Sequence, residues 1–524
     1  MKMMLRRSLL RTACGEWAFF HELQLNSIRS AATANTTSHQ DVQLSSAKPY
    51  EDIPHLPMLP FVGTAWAYWP IVGRYSTAKF HKAAHEKRKR FGDIHREKFG
   101  ALDIVFSFRA EDMETVSRNE GPYPNKAEFT TIKAYRESRK EWYSTIGVMI
   151  LKGKEWHDLR SKTQKHLMKP KAIEAYMIPM QDVAQDFIKK IFLARDSSKE
   201  VPYFLEELYK WALESIAVIG LDTRLECLQK DLPNDSDGMK MINSVQTQFH
   251  LMTELEGFAG SLALWKYFST PKWRKFTQAS DVFTEIAFKY INRALEELKK
   301  IDGTEEKELT LLQAMLTTKG LDVSSAMVTV ADMLISGIDT TSHTVGFLLY
   351  HLARNPDKQE KLYHEVLKAF PSKESKMSPT VFAELRYLKC CFKESQRLHP
   401  IVSGLARVLD RDVVLSGYRV PAGTMISVML QEIYRREEYY KKPLEFLPER
   451  WLAKDKDFYP FSFLPFGFGR RSCIGRRLAE TEVIILTSEI IRNFRVEYHH
   501  EDIDMMTTLV STPDKPLRFN FIER

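Results

Sequence analysis

The chain has 524 residues, of which 44% are hydrophobic and 27% are charged, a composition typical of a globular protein with a core large enough to bury a cofactor. The formal net charge of +8 is modest for this length and does not indicate a nucleic-acid partner. None of the five cysteines forms a Cys-x-x-Cys pair, so we expect no structural zinc site, and a reducing compartment fits this pattern.

The first residues have the composition of a targeting sequence. Basic residues outnumber acidic ones, and Ser, Thr and Ala dominate residues 30–38, as is typical of a mitochondrial transit peptide. We predict a transit peptide at 1–35, a linker ending in a proline-rich hinge at 36–60, and one folded domain at 61–524. A disordered basic tail is the alternative for the first segment. No run of about 18 apolar residues occurs, so we expect no membrane-spanning helix.

The predicted domain begins with a basic amphipathic helix at residues 80–91 and a short strand at 102–106. A further helix is predicted at 153–167. Trp156 and Arg160 lie four residues apart in this helix, and therefore on one face. An indole N–H and a guanidinium on one face make a clamp for a carboxylate. A core tryptophan beside an exposed arginine is the alternative.

Residues 176–220 and 276–300 are predicted to be helical and apolar on one side. Between them, residues 255–273 mix aromatic residues with lysines, which suits a membrane interface. Ordinary core packing is the alternative. The large apolar residues of this stretch are Phe258, Leu262, Leu264, Trp265, Tyr267, Phe268 and Trp273.

Residues 322–354 are predicted to form one helix about 50 Å long at 1.5 Å per residue. Its middle contains Gly337, Asp339 and Thr340. Unpaired polar groups are costly in a buried apolar helix, so these residues indicate a functional site. Gly337 allows a flat ligand or O2 to approach, and the Thr340 hydroxyl can take up a backbone carbonyl and open a groove for water. A solvated polar stripe is the alternative.

A helix is predicted within residues 383–400, and it carries two charge pairs. Glu394 and Arg397 lie three residues apart, and Lys389 and Lys393 lie four apart, so each pair shares a helix face. For the lysines, a solvated helix face is the alternative. Strands with turns are predicted in the following 30 residues.

Residues 466–475 read Phe-Gly-Phe-Gly-Arg-Arg-Ser-Cys-Ile-Gly and lead into an apolar helix that is predicted to end near Phe494. The glycines permit backbone angles and close approaches that a Cβ would forbid. The charge of Arg471 and the N–H groups at the start of the following helix favour a thiolate at Cys473. Free cysteines are usually small buried hydrophobic residues, which is the alternative.

This segment satisfies Phe-x-x-Gly-x-Arg-x-Cys-x-Gly at every position and resembles the haem-binding signature of the cytochrome P450 family. Residues 336–341 resemble the family's oxygen-activation motif, Ala/Gly-Gly-x-Asp/Glu-Thr-Thr, although Ser336 departs at the first position. Glu394-x-x-Arg397 and Phe-Leu-Pro-Glu-Arg-Trp at 446–451 resemble two further motifs, in the expected order. Arg-Arg after Cys-x-Gly, at 476–477, resembles mitochondrial members of the family, and Lys-Pro-Tyr-Glu-Asp-Ile-Pro at 48–54 resembles their invertebrate members.

The resemblance implies a mainly α fold with a small β region, the cytochrome P450 fold, in one large haem-thiolate domain. It implies haem b as the cofactor and O2 as the co-substrate. Cys473 would be the axial ligand of the haem iron, and Asp339, Thr340 and Gly337 would serve oxygen activation. The residues implied to bind the haem are Cys473, Trp156, Arg160, Arg407, Arg471 and Phe466. The charges implied to form a structural triad behind the haem loop are Glu394, Arg397 and Arg450.

The implied reaction is monooxygenation of a lipophilic substrate of the sterol, ecdysteroid or secosteroid class, with oxidation of xenobiotics as the alternative. The implied electron donor is an adrenodoxin-type ferredoxin with its NADPH-dependent reductase, bound by Lys389, Lys393, Arg476 and Arg477. A peripheral, matrix-side contact with the inner mitochondrial membrane is implied through residues 255–273. A haem sensor without turnover would not need the cationic face, and a haem-thiolate isomerase would not need the polar groove in the long helix.

Overall fold

The computed structural model describes residues 44–69, 71–256, 263–300, 310–372, 374–453 and 458–524. Within them the chain is mainly helical with a small β region, which confirms the predicted fold class. The transit peptide predicted at residues 1–35 lies outside the described residues and stays a prediction.

Helices account for most of the described chain. In chain order they are α1 Phe80–Phe91, α2 Ala110–Arg118, α3 Thr130–Glu137, α4 Gly153–Met168, α5 Pro170–Glu174, α6 Met177–Ala194, α7 Phe204–Leu221, α8 Asp237–Glu256, α9 Pro271–Lys300, α10 Leu311–Leu316, α11 Val323–Arg354, α12 Pro356–Ala369, α13 Pro379–Glu384, α14 Arg386–Leu398, α15 Leu430–Ile433 and α16 Arg476–Asn493.

Short strands form four small sheets in the described residues, with orders β1-β2-β7-β4, β3-β11-β8, β10-β9 and β5-β6. In the largest sheet β2 and β7 run parallel, and the other neighbours run antiparallel. The strands are β1 Ile94–Phe99, β2 Leu102–Ser107, β3 Glu200–Val201, β4 Leu405–Val408, β5 Val413–Leu415, β6 Tyr418–Val420, β7 Met425–Val428, β8 Phe494–Glu497, β9 Met505–Thr507, β10 Ser511–Pro513 and β11 Phe519–Glu523.

Helix α11 forms the centre of the molecule, and its bounds confirm the single long helix that the sequence predicts at 322–354. The Asp322 side chain caps its N-terminus by accepting a hydrogen bond from the Ser325 N–H at 2.8 Å. The helix ends before Asn355, because Pro356 disfavours helical geometry in the residue that precedes it. Among the described residues it is the one helix long and apolar enough to cross a membrane, but most of it is buried inside the protein.

The core around α11 is a bundle of helices. Helix α7 lies along α11, α16 packs against both α11 and α6, and α6 packs against α7. Fully buried aromatic side chains such as Trp211, Phe187 and Phe204 fill the space between them. This bundle is the rigid support on which the loops of the site are placed.

The helical prediction for residues 176–220 is wrong in the middle of this range. The chain leaves α6 at Arg195 and re-enters a helix at Phe204, with β3 between them. The Asp196 side chain accepts hydrogen bonds from the backbone N–H groups of Ser198 at 2.8 Å and Glu200 at 3.0 Å. This local turn competes with helix formation, as short polar side chains commonly do.

The last part of the linker predicted at residues 36–60 packs on the domain. The Lys48 N–H donates to the Gly417 carbonyl at 3.0 Å. Ile53 is fully buried and Leu56 is 3% exposed. The folded body therefore includes residues that the proline content alone assigns to a hinge.

A buried ion pair ties α3 to α11 close to the site. An Nη atom of Arg136 lies 2.5 Å from an Oδ atom of Asp332, and both side chains are at most 5% exposed. The guanidinium also donates to the Ile146 carbonyl at 2.8 Å. The chain between Arg136 and Ile146 is thus fixed to the central helix.

We expect Asp332→Asn to lower the free energy of unfolding by about 3–5 kcal/mol, because it leaves the Arg136 charge buried without its carboxylate. Urea denaturation followed by circular dichroism measures the loss. The matched control is Asp281→Asn. The Asp281 carboxylate pairs with Arg139 at 2.9 Å, and about a third of each side chain is exposed. Its loss should therefore lower the free energy of unfolding by about 1 kcal/mol or less. Equal losses in the two variants would contradict a special contribution from the buried pair.

Candidate active site

The thiol of Cys473 is presented by a tight loop between a 3₁₀ turn at Gly469–Arg471 and α16. The Cys473 N–H donates to the Phe466 carbonyl at 2.8 Å, which closes the loop. Gly467 and Gly469 have φ of 75° and 65°, a left-handed region that side chains rarely adopt. The glycines predicted to shape this loop therefore do so at these two positions.

Cys473 differs from the other described cysteines in accessibility. Cys227, Cys390 and Cys391 are buried, whereas the Cys473 side chain has an open surface. Protein nevertheless surrounds it, and this burial raises the pKa of the thiol, while the Gly475 N–H and the charges of Arg160 and Arg476 act to lower it. The sulfur therefore lines an interior space, as a ligand to a buried cofactor must.

Arginines from three separate elements converge beside the loop. Arg160 of α4 donates to the Ser472 carbonyl at 2.8 Å. The Arg471 guanidinium lies 3.6 Å from the ring centroid of Trp156, which is only 1% exposed. Arg407 of β4 forms a buried salt bridge with Glu120. The structure thus brings together the four predicted residues Trp156, Arg160, Arg407 and Arg471.

Mutual repulsion among these cations shows that positive charge is in excess here. Burial lowers the pKa of Arg471 to about 10, and Arg407 and Arg160 contribute to the shift. Burial likewise lowers the pKa of Lys126 to about 8, with Arg471 and Arg407 again contributing. Within the described residues, Lys126, Arg160 and Arg471 form no salt bridge. A ligand that carries carboxylates would balance this charge, and the two carboxylates of haem fit that requirement.

Sequence reasoning missed two residues of this cluster. Lys126 and Glu120 lie in the segment between α2 and α3 and belong to no recognisable motif. Glu120 reaches the thiol loop, since a Cβ placed on Gly469 would lie 3.3 Å from Glu120 Oε2. Only the tertiary fold brings this segment to the arginines.

The middle of α11 is open on one side only. From Val328 to Leu352, the residues that are not fully buried are Ser336, Gly337 and Thr340. The Thr340 hydroxyl donates to the Ser336 carbonyl at 2.7 Å, so it takes up a backbone carbonyl as predicted. The Ser336 hydroxyl, at the position that departs from the family motif, donates to the Met149 sulfur at 3.3 Å.

The missing side chain of Gly337 faces α7. A Cβ on Gly337 would lie 3.2 Å from Ile216 Cγ1 of α7. The missing side chain therefore allows α7 and α11 to pack closely. Gly337 is also partly accessible on the open face of α11, so the approach of a flat ligand or O2 to it stays a prediction.

Asp339 is a buried carboxyl that binds its proton more tightly than an aspartate in water does. It is 4% exposed, and its Oδ1 atom has no hydrogen-bond partner among the described residues. Burial raises the pKa of the carboxyl to about 7. A carboxyl that titrates near neutral pH is suited to hold and release a proton.

One short segment links the thiol loop to the open face of α11. The Leu151 carbonyl accepts a hydrogen bond from Arg471 at 3.2 Å. Two residues earlier, the Met149 sulfur accepts from Ser336. The thiol loop and the polar part of α11 therefore flank the same segment of chain.

The predicted triad behind the thiol loop is present, with Glu394 and Arg397 fully buried and Arg450 partly exposed. Glu394 Oε1 lies 2.8 Å from an Nη atom of Arg397 and 3.0 Å from Nε of Arg450. The Trp451 indole N–H donates to Glu394 Oε2 at 2.8 Å. Arg397 also donates to the carbonyls of Tyr434 and Pro443. The triad thus fixes the chain that precedes the loop against α14.

The predicted lysine face is only partly available at the surface. Lys389 Nζ donates to the Phe382 carbonyl at 2.5 Å, and burial lowers its pKa to about 8. Burial also lowers the pKa of Lys393. Both lysines are half-buried rather than free. Arg386, which sequence reasoning missed, lies three residues before Lys389 on α14 and is exposed.

The two arginines that follow the thiol lie at the start of α16. Arg476 Nε donates to Glu480 at 2.9 Å, and its guanidinium lies 5.5 Å from the centroid of the Phe466 ring. The charges of Arg476 and Lys393 are close enough to affect each other. The start of α16 and the cationic stripe of α14 therefore form one surface, together with the carboxylate of Glu480.

Comparison with known proteins matches this site to one family. A sequence model described as "Cytochrome P450" matches residues 54–521. The "Probable cytochrome P450 12a5, mitochondrial" of Drosophila melanogaster is 37% identical over 507 residues, covering 92% of each chain. From the same organism, "Probable cytochrome P450 49a1" is 32% identical over 94% of this chain and 86% of the relative. "Cytochrome P450 302a1, mitochondrial" is 32% identical over 91% of this chain and 96% of the relative.

These matches extend over almost the whole folded body, and they agree with the accessible thiol and the excess of positive charge beside it. The chain belongs to the cytochrome P450 family and is a haem-dependent monooxygenase, with haem b as its cofactor and O2 as its co-substrate.

Proposed function

We propose that this monooxygenase is mitochondrial, takes electrons from an adrenodoxin-type ferredoxin with its NADPH-dependent reductase, and oxidises a lipophilic substrate of the sterol, ecdysteroid or secosteroid class. The observation that carries the proposal is that relatives named as mitochondrial match nearly the full chain, at 37% and 32% identity. The transit-peptide composition of residues 1–35 supports the same compartment.

Haem, when bound, supplies the activation of dioxygen, and the protein supplies ligation, orientation and protons. Cys473 would ligate the iron, and the Gly475 N–H and the Arg160 charge favour its thiolate form. Lys126, Arg160, Arg407 and Arg471 would hold the haem carboxylates. This last assignment rests on the excess of positive charge among them.

Protons would be handled on the open face of α11. The Thr340 hydroxyl donates to the Ser336 carbonyl on this face, so a water molecule there would have two polar oxygens beside it. Asp339, with a pKa of about 7, is divided between acid and carboxylate at neutral pH. It would therefore hold a proton on its carboxyl and release it toward Thr340.

The ferredoxin would dock on the cationic surface formed by α14 and the start of α16. Ferredoxins of this type are acidic, so complementary charge would steer association. Arg386 presents the exposed charge of this surface, and Lys389, Lys393, Arg476 and Arg477 are each half-buried.

Membrane contact is proposed for residues 264–268, a narrower region than the sequence predicts. Leu264, Tyr267 and Phe268 are 53%, 79% and 69% exposed. Trp265, in contrast, is buried and stacks on Trp273 with 4.7 Å between ring centroids, so the core alternative holds for the tryptophans. Phe258 and Leu262 lie outside the described residues.

Substitution of Cys473 by Ala should abolish the long-wavelength band of the reduced, CO-bound protein, because that band reports thiolate ligation. Difference spectroscopy on protein reconstituted with haem measures it. The control is Cys227→Ala, which removes a buried cysteine and should keep the band. Retention of the band in Cys473→Ala would mean that another residue is the ligand.

Charge reversal at Arg386 and Arg477 should raise the Kd for an adrenodoxin-type ferredoxin by about tenfold at low salt, with the difference shrinking as salt screens the charges. Surface plasmon resonance at several ionic strengths measures the effect. Lys189→Glu, an exposed reversal on α6, should leave the affinity unchanged. Equal effects of the two reversals would contradict a docking site on α14 and α16.

The proposed substrate class is tested by the shift of the haem absorbance when a ligand displaces water from the iron. We expect sterols or ecdysteroids to give this shift and to be turned over when ferredoxin, reductase and NADPH are all present. Shifts and turnover with xenobiotics alone would favour the detoxification alternative. Haem binding without NADPH-dependent product from either class would favour a sensor.

A further inference from the structure

A second buried polar group lies on α11 one turn after Asp339. His343 is 2% exposed, and its Nε2 atom lies 2.8 Å from the hydroxyl of Tyr209 on α7. Tyr209 is 7% exposed, and the two rings meet edge to face with centroids 5.7 Å apart. Asp339 and His343 are four residues apart and therefore share a helix face. The proton-delivery role proposed for Asp339 uses neither Tyr209 nor His343.

The Tyr209–His343 pair carries no charge at neutral pH. Burial lowers the pKa of His343 to about 3, with the Ser511 backbone of β10 acting in the opposite direction. Burial raises the pKa of Tyr209 above its usual range, the charge of Asp339 contributes to this rise, and a hydrogen bond from Gln246 opposes it. The phenol therefore donates to the unprotonated Nε2 of a neutral imidazole.

Asp339 is close enough to Tyr209 for its charge to raise the pKa of the phenol, and it forms no salt bridge with any residue that the structure describes. The charge that acts on Tyr209 besides Asp339 is that of Glu206, from its own helix. Burial is the cause of the raised pKa of Asp339, with no charged partner to offset it. The Tyr209 hydroxyl is thus a neutral donor within electrostatic reach of the Asp339 carboxyl.

We propose that Tyr209 and His343 are positioning residues for Asp339. The Tyr209 hydroxyl donates a hydrogen bond to His343 while Asp339 is protonated. It donates to Asp339 instead once that carboxyl has lost its proton. Asp339 gives its proton to the water side at Thr340 and later regains one from solvent. Tyr209 and His343 only exchange hydrogen bonds and keep their own protons throughout. The pair would thereby set the pH range over which Asp339 can deliver a proton.

This switch predicts opposite effects of two substitutions on the pKa of Asp339. Tyr209→Phe removes the donor that stabilises the carboxylate, so the pKa should rise by about one unit. His343→Leu removes the competing acceptor and leaves the hydroxyl free for Asp339, so the pKa should fall. A purely structural role for the pair would not give shifts of opposite sign.

The measurement is infrared titration of the Asp339 carboxyl band in the ferric holoenzyme, with the band assigned by its loss in Asp339→Asn. Tyr143→Phe is the matched control, because its hydroxyl bonds Thr284 at 2.9 Å in another part of the core, and it should leave the titration unchanged. His343→Gln, which retains an acceptor, should stay close to the wild type. Unchanged titration in both Tyr209→Phe and His343→Leu, or shifts of the same sign, would overturn the proposal.

The inference rests on the proposed role of Asp339, and a second readout separates the two. The ratio of product formed to NADPH consumed, measured against pH, should move with the infrared titration. If Asp339→Asn leaves this ratio unchanged, the proton-delivery role fails even where the infrared shifts are found. If Asp339→Asn lowers the ratio but the infrared shifts are absent, only the positioning role of Tyr209 and His343 fails.

Discussion

One sulfur atom that stays accessible inside a protein core is the constraint around which the rest of the molecule is arranged. The loop that presents Cys473 needs two glycines in left-handed conformations and a backbone hydrogen bond to Phe466. It also needs a rigid frame, because a misplaced thiol would simply be buried like the other described cysteines. The Glu394 triad and the bundle of α6, α7, α11 and α16 provide that frame.

The polar residues near the loop fall into two electrostatic environments. Beside the thiol, burial lowers the pKa values of Arg471 and Lys126, and repulsion from neighbouring cations lowers them further. In the middle of α11 the environment is nearly free of charge, and burial alone raises the pKa of Asp339. The first environment suits the binding of an anionic group. The second keeps a carboxyl in the protonated form at pH values where it would be ionised in water.

The sequence was sufficient for those parts of the fold and site that local patterns determine. The bounds of α1 and α11, the thiol loop and the Glu394 triad follow from periodicity, capping and motif spacing. Sequence reasoning failed where distant segments decide the outcome. It could not place Lys126 and Glu120 beside the arginines, because no local pattern marks them.

The same limit applies to the direction in which a side chain points and to how deeply it is buried. Periodicity places Gly337 on a helix face, but only the packing of α7 shows that its missing Cβ faces Ile216. Spacing places Lys389 and Lys393 on one face, but their half-burial depends on neighbours such as Phe382. The prolines before residue 60 indicate a stiff segment without showing that Ile53 is fully buried.

Three cations beside the thiol form no salt bridge within the described residues, and they affect the stability of the protein before it binds its cofactor. Before the cofactor arrives, the folded chain must hold Lys126, Arg160 and Arg471 together against their repulsion. A dianionic ligand that binds only the folded state removes this penalty and adds stability in proportion to the logarithm of its free concentration. The abundance of this enzyme should therefore follow the supply of haem, since newly made chains that lack it are the ones most exposed to proteases.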